Sequence, residues 1–179
     1  MRGGLIQARS ILGVLRKQEV THVVTLPDNA SAALLSVLAR EGGPLVVPVT
    51  REGEAFAVAS GLWVGGARPV VLIQNTGLLE SGDALRGTAM RMRVPLVCLV
   101  TFRGYASLPP AGGGAIGGEL LSRPEVDSVA VLTLPTLQAW GVPLDFVHED
   151  GDAAKLGAAF AQAALLEQPV AVLIPGATT

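Results

Sequence analysis

Short runs of branched apolar residues alternate along the chain with longer Ala- and Leu-rich stretches whose apolar positions recur every three or four residues. Leu5, Ile6, Ile11, Leu12 and Leu15 fall at helical spacing and predict an amphipathic helix near the N-terminus. The runs His22–Leu26, Leu45–Val49, Pro69–Gln74, Pro95–Phe102, Leu144–Val147 and Val170–Ile174 read as strands. Ser31–Arg40, Glu52–Val64, Ser81–Met92, Leu134–Trp140 and Asp152–Leu166 read as helices, with Gly42–Gly43 and Gly65–Gly66 as stop signals. Strands that are apolar on both faces and separated by helices imply a sheet covered on both sides, which is the habit of parallel strands. The expected fold is therefore α/β: a doubly wound, mainly parallel six-stranded sheet with helices on both faces, residues 1–179 forming a single domain.

Composition narrows the partners. Half of the 179 residues are hydrophobic and only 16% are charged, so the chain has little charged surface to spare and subunit contacts are expected. A formal charge of -2 with no Lys/Arg cluster offers no footprint for nucleic acid or an anionic membrane. No apolar run approaches the roughly 18 residues of a membrane span, and the N-terminal stretch is interrupted by Gln7, Arg9 and Arg16, unlike a signal peptide. The single Cys98, inside an apolar run, reads as a small buried hydrophobe, and a reducing cytoplasm is the expected location.

Several familiar chemistries lack their motifs. Gly112, Gly114 and Gly117 satisfy the spacing of a dinucleotide fingerprint, but prolines at 109 and 110 stand where the required strand would be. There is no phosphate-loop lysine motif, no nucleophile elbow around a serine, and no metal-ligand spacing around His22 or His148, so no metal site is expected in this chain. The segment 103–126, rich in Gly and Pro, follows a strand at the ligand-binding end of an α/β sheet and is expected to be either functional or disordered.

The most unusual stretch is TREGEAFAVASGLWVGG, residues 50–66. Thr50 reads as an N-cap, and acidic residues in a first helical turn favour the helix dipole, so end stabilisation accounts for Glu52 and Glu54 as ordinary structure. Their position directly after a strand, at the ligand-binding end, also suits chemistry. Gly61 costs about 1 kcal/mol relative to Ala in mid-helix, and the small face of Ala55, Ala59 and Leu62 predicts close packing of this helix against another element.

Glu52 with Ala55, Ala59 and Gly61, in the pattern ExxAxxxAxG, resembles the pyrimidine-binding domain of thiamine diphosphate enzymes. LPDNASAALLSVL, TREGEAFAVASGLWVGGARPVVLIQNTGL, LVTFRG and LPTLQAWGVPLDFV extend the match in order, and together are most similar to the α subunit of sulfopyruvate decarboxylase and the N-terminal half of phosphonopyruvate decarboxylase. The resemblance implies that Glu52 is catalytic: it hydrogen-bonds a pyrimidine nitrogen of thiamine diphosphate and drives the cofactor's deprotonation before a 2-oxo acid is attacked and loses carbon dioxide. Glu54 is then a structural end charge. It further implies that Gln74, Asn75, Thr76 and Gly77 line the cofactor pocket, although the same residues read equally well as a polar turn. Asp28 and Asn29 are implied to face substrate, although an Asx turn or helix cap explains them as simply.

The resemblance also implies a partner. The family's diphosphate and Mg2+ are held by a GDG motif followed about thirty residues later by Asn, whereas Gly151–Asp152 here runs into Ala-Ala-Lys. A separate diphosphate-binding subunit is expected to bring the metal and complete the cofactor site at an interface, with self-association through the Glu52–Val64 helix. Two departures touch the substrate: an acidic, His-containing stretch common in the family is replaced by GGGAIGG, and Glu80, Ser81 and Asp83 stand where Asn residues often follow the QNSGL segment. A non-catalytic assembly protein of the same fold, and an unrelated α/β nucleotide-binding module, are the alternatives.

Overall fold

The computed structural model describes residues 5–108 and 116–179. Six strands, β1 (His22–Thr25), β2 (Leu45–Pro48), β3 (Pro69–Gln74), β4 (Val97–Thr101), β5 (Leu144–Phe146) and β6 (Val170–Ile174), form one sheet in the order β2-β1-β3-β4-β6-β5. All five pairings are parallel, where the sequence predicts a mainly parallel sheet.

Alternate residues of each strand enter opposite cores, as the pleat requires. Val23, Val70, Leu72, Leu99, Val170 and Val172 face one side, where they meet α1 (Ala8–Lys17) and α2 (Ala32–Glu41). Val24, Val71, Ile73, Val100, Ala171 and Leu173 face the other, against α3 (Glu52–Val64). Cys98 joins this second core, and burial pushes its thiol pKa up.

The remaining helices explain two differences from the expected boundaries. Helix begins at Asn75, directly after β3, and runs as α4 (Asn75–Glu80), α5 (Gly82–Ala84) and a π-helical stretch (Leu85–Met90), rather than starting at Ser81. The polar-turn reading of Gln74–Gly77 is thus corrected: Gln74 is the extended residue before a helix. After the short α6 (Gly118–Leu121), α7 (Ser128–Ala139) begins earlier than Leu134 because the Asp127 carboxylate accepts from Val129 N and Ala130 N, and Pro135 is carried inside the helix. α8 (Ala153–Leu166) packs beside α1 in the first core.

The small face of α3 meets this chain itself. Ala55 and Ala59 are fully buried against β3 and its neighbours, and only Leu62 of that set is half-buried. The outward face consists of Ala57, Val58, Gly61 and Val64, with Trp63 beside it. No atom lies within 4 Å of a Cβ placed on Gly61, so within the described residues no backbone approaches this glycine.

Candidate functional site

The chain leaves β1 to build β2 on one side and crosses back to build β3 on the other, so the carboxyl ends of β1 and β3 form a topological switch point, where parallel sheets bind ligands. Asp28 and Asn29 follow β1, Gln74–Gly77 follow β3, and the N-terminus of α3 follows β2, so the fold gathers the predicted site residues along one edge.

The two acids of α3 are used differently. Glu54 turns back on its own helix: its Oε2 accepts from Thr50 N at 2.9 Å, Thr50 Oγ1 at 2.9 Å and Arg51 N at 3.2 Å. These bonds hold its carboxyl below the usual range, the Thr50 backbone bond contributing most. The N-cap is Arg51 rather than Thr50, whose hydroxyl donates to Glu54 instead of capping a helical amide. Glu52, half-buried, lies across α4: a Cβ added to Gly77 would stand 2.2 Å from Glu52 Cγ and 2.5 Å from its Oε1. Gly77 therefore leaves the space that the Glu52 side chain occupies. Among the described residues no hydrogen bond engages the Glu52 carboxylate, whereas Glu54 and Glu80 are both saturated by neighbours.

The other predicted residues divide in the same way. Asn75 is fully buried and its carboxamide is consumed: Oδ1 accepts from Arg103 N at 3.1 Å, and Nδ2 donates to Arg103 O at 3.0 Å and Thr133 Oγ1 at 3.1 Å. Asp28 Oδ1 accepts from Ala30 N and Ser31 N at the approach to α2, and Oδ2 accepts from Thr101 Oγ1 at 2.9 Å. Thr76 Oγ1 donates to Gln74 Oε1 at 3.1 Å. Asn29 and Gln74 line a cleft of about 520 Å³ with Phe102, Arg103, Tyr105 and Ser107. Arg103 also pairs with Asp127 at 3.3 Å.

Sequence reasoning missed Arg51 and the role of Glu80. Glu80 Oε1 bonds Arg51 Nη2, and Glu80 Oε2 accepts from Gly53 N at 3.0 Å, contacts between residues too far apart in the chain for any local pattern to announce them. His148 stacks on Phe146 at 5.6 Å, and His22 Nδ1 bonds Thr21 Oγ1. Among the described residues no cluster of His, Cys, Asp and Glu could hold a metal ion, and no helix is long and apolar enough to cross a membrane. Of the three fingerprint glycines, Gly112 and Gly114 lie outside the described residues; Gly117 is extended at the start of α6.

The thiamine pyrophosphate enzyme family, through its N-terminal TPP binding domain, matches residues 7–123. Sulfopyruvate decarboxylase subunit alpha of Methanocaldococcus jannaschii is 26% identical over 104 residues, covering 58% of this chain and 59% of the relative. Phosphonopyruvate decarboxylase of Streptomyces hygroscopicus is 33% identical over 100 residues, 56% of this chain and 25% of its own. The chain thus spans a little over half of the first relative and a quarter of the second. In fold it is similar to benzoylformate decarboxylase from Polynucleobacter necessarius, with a TM-score of 0.67 and 23% identity over 96% of this chain and 30% of that one. 2-oxoglutarate:ferredoxin oxidoreductase from Magnetococcus marinus gives a TM-score of 0.61 at 16% identity, covering 96% of this chain and 29% of that one.

Proposed function

Because the chain belongs to the thiamine pyrophosphate enzyme family as an N-terminal TPP binding domain, we propose that it is the pyrimidine-binding subunit of a two-subunit 2-oxo acid decarboxylase. The observation that carries this reading is the contrast at the start of α3: Glu54 is spent on its own helix, while Glu52 presents a carboxylate with no hydrogen-bond partner among the described residues, over a glycine that leaves room for it. Membership of the family sets aside the unrelated nucleotide-binding module.

The residues present fit thiamine diphosphate at its pyrimidine end. Glu52 would hold the pyrimidine nitrogen through its carboxyl group, and Gly77 gives the Glu52 side chain the room to lie there. Gln74 and Thr76 form the polar wall beside them, while Asn75 serves by fixing the neighbouring loop rather than by touching the cofactor. When bound, the cofactor supplies the cationic ring that accepts the electrons released with carbon dioxide. Asn29 and Gln74, which line the cleft, are the residues placed to meet the 2-oxo acid; Asp28 is committed to α2 and Thr101.

A diphosphate-binding subunit supplies the Mg2+ and the remaining half of the site. Two things support it: the name "subunit alpha" carried by the Methanocaldococcus relative, and the apolar outer face of α3, through which the chain also self-associates. The test is carbon dioxide release from 2-oxo acids by the chain co-expressed with that subunit. Glu52→Gln is expected to lower turnover by about 10²-fold or more, the range of general acid–base catalysis, without dissolving the complex. Unchanged turnover in that variant, or a structure of the complex with Glu52 in bulk water, overturns the proposal.

A further inference from the structure

The start of α3 is fastened to α4 at two points one helical turn apart. At the first, the Glu52 side chain lies over Gly77; at the second, Glu80 reaches back to Gly53 N and Arg51. Residues three apart share a helix face, so Gly77 and Glu80 present both contacts on one side of α4. The Gly53 amide belongs to the peptide bond that joins Glu52 to Gly53. It is also one of the first amides of α3, which the helix itself leaves without an acceptor. By accepting from it at 3.0 Å, Glu80 fixes the peptide plane on the C-terminal side of the Glu52 Cα, and it also pairs with the guanidinium of Arg51, the residue on the other side. α4 is itself held in place, since Ser81 Oγ donates to Gly77 O and the Asn75 side chain is locked to Arg103 and Thr133.

We infer that Glu80 is a positioning residue for Glu52: it clamps the peptide that follows that acid, and holds the side chain of the residue before it, so that the carboxylate rests over Gly77 rather than swinging free. A side chain at a helix start that makes no hydrogen bond of its own has several rotamers open to it, and an external tie on the adjoining peptide narrows them. Productive geometry in a site needs the supporting residues to lock the reacting one to within about 0.5 Å, and Glu80 is in the right place to do this for Glu52. The inference rests on the proposed role of Glu52 only for its catalytic meaning; the clamp itself is a property of this chain alone.

The test begins with the full chain by itself. NMR on the wild type should show a nuclear Overhauser contact between Glu52 Hγ and Gly77 Hα, together with slow exchange of the Gly53 amide. Glu80→Ala should lose that contact and speed Gly53 exchange about tenfold, with α1 and β3 amides unchanged. Glu80→Gln, which keeps an oxygen acceptor for Gly53 N, should retain most of both. The second arm uses the co-expressed complex with thiamine diphosphate and Mg2+, read by near-ultraviolet circular dichroism of the aminopyrimidine. Glu80→Ala should bind about tenfold more weakly, with Glu80→Gln close to wild type. If the Glu52–Gly77 contact survives in Glu80→Ala, or if Gln loses it as fully as Ala, the clamp is overturned. If the wild-type complex fails to bind thiamine diphosphate while the first arm behaves as stated, the decarboxylase reading falls and the clamp stands.

Discussion

Helices α1 and α3 pack on opposite faces of the sheet, and each carries a glycine with open space around it, Gly13 and Gly61, yet they are finished differently. α1 buries Ala8, Ile11, Leu12 and Leu15 and turns Arg9, Arg16 and Lys17 outward, with Arg9 and Arg16 anchored on Glu41 and the carbonyls of Glu41 and Gly42. α3 buries Ala55, Phe56, Ala59 and Ser60 and turns Ala57, Val58, Gly61, Trp63 and Val64 outward; Val64 alone is 64% exposed. A helix with a polar outer stripe is complete within its own fold, whereas one that is apolar all round has a second surface left to cover. The first turns differ as well, since α1 has no acidic residue there and α3 has Glu52 and Glu54. The α1 side carries a charged outer stripe, and the α3 side, where the acids are, leaves an apolar one, which is the surface the proposed assembly would cover.

The largest expected effect comes from placing a charge on the matched glycines. Gly61→Arg should weaken association with the partner subunit by 10²-fold or more, because a lone buried charge costs about 3–5 kcal/mol, while Gly13→Arg should leave it unchanged. Sedimentation of the two variants side by side measures this, and equal behaviour would erase the distinction between the helices. Next in size is Gly77→Ala. Its new Cβ must displace the Glu52 side chain, and overpacking of this kind costs about 1–3 kcal/mol in urea unfolding.

A smaller effect is read by pH at the start of α3. The carboxyls of Glu54 and Glu80 are held below the ordinary glutamate value of 4.5, chiefly by the Thr50 backbone for the first and by Arg51 for the second. Their contribution is therefore present above that ordinary value and is lost as the pH falls through their lowered folded values. Amides at the start of α3 should begin to exchange faster in that acid window while those of the central strand β3 do not, as hydrogen exchange would show; the Gln7 amide before α1, which donates to Asp150, should loosen as that acid is protonated in turn. The smallest expected signal is chemical: with its thiol buried and its pKa raised, Cys98 should resist alkylation in the native chain and react only on unfolding.

Much of this arrangement was legible in the residues. Strands such as Pro69–Gln74 and Val170–Ile174 announce themselves because both faces are buried, so no polar residue interrupts the run. Glu52–Val64 emerges with the predicted bounds because strand, acids and the terminal Gly65–Gly66 punctuate it. The helix at Asn75 was hidden because Gln-Asn-Thr-Gly has turn composition, and what holds Asn75 there is supplied by Arg103 and Thr133, far along the chain. Pro135 obscured the first part of α7 for a similar reason, since the cap that nucleates it is the side chain of Asp127. In the site, the resemblance singled out Glu52 and left Glu54 as an end charge, but the tie from Glu80 to Gly53 depends on tertiary packing that no local pattern encodes.

The Asn75 carboxamide takes both the amide and the carbonyl of Arg103, as a residue on an adjacent strand would. It thus adds one rung beyond the last ladder pair of β3 and β4, Gln74 with Thr101. Any hinge in the connection leaving β4 must lie at or after Gly104, whose φ of 77° and crowding by Asp127 and Ala130 exclude a side chain there. Arg103 consequently hangs from a fixed anchorage at the rim of the cleft, its backbone held by Asn75 and its guanidinium turned to Asp127, so an anion entering there competes with that carboxylate.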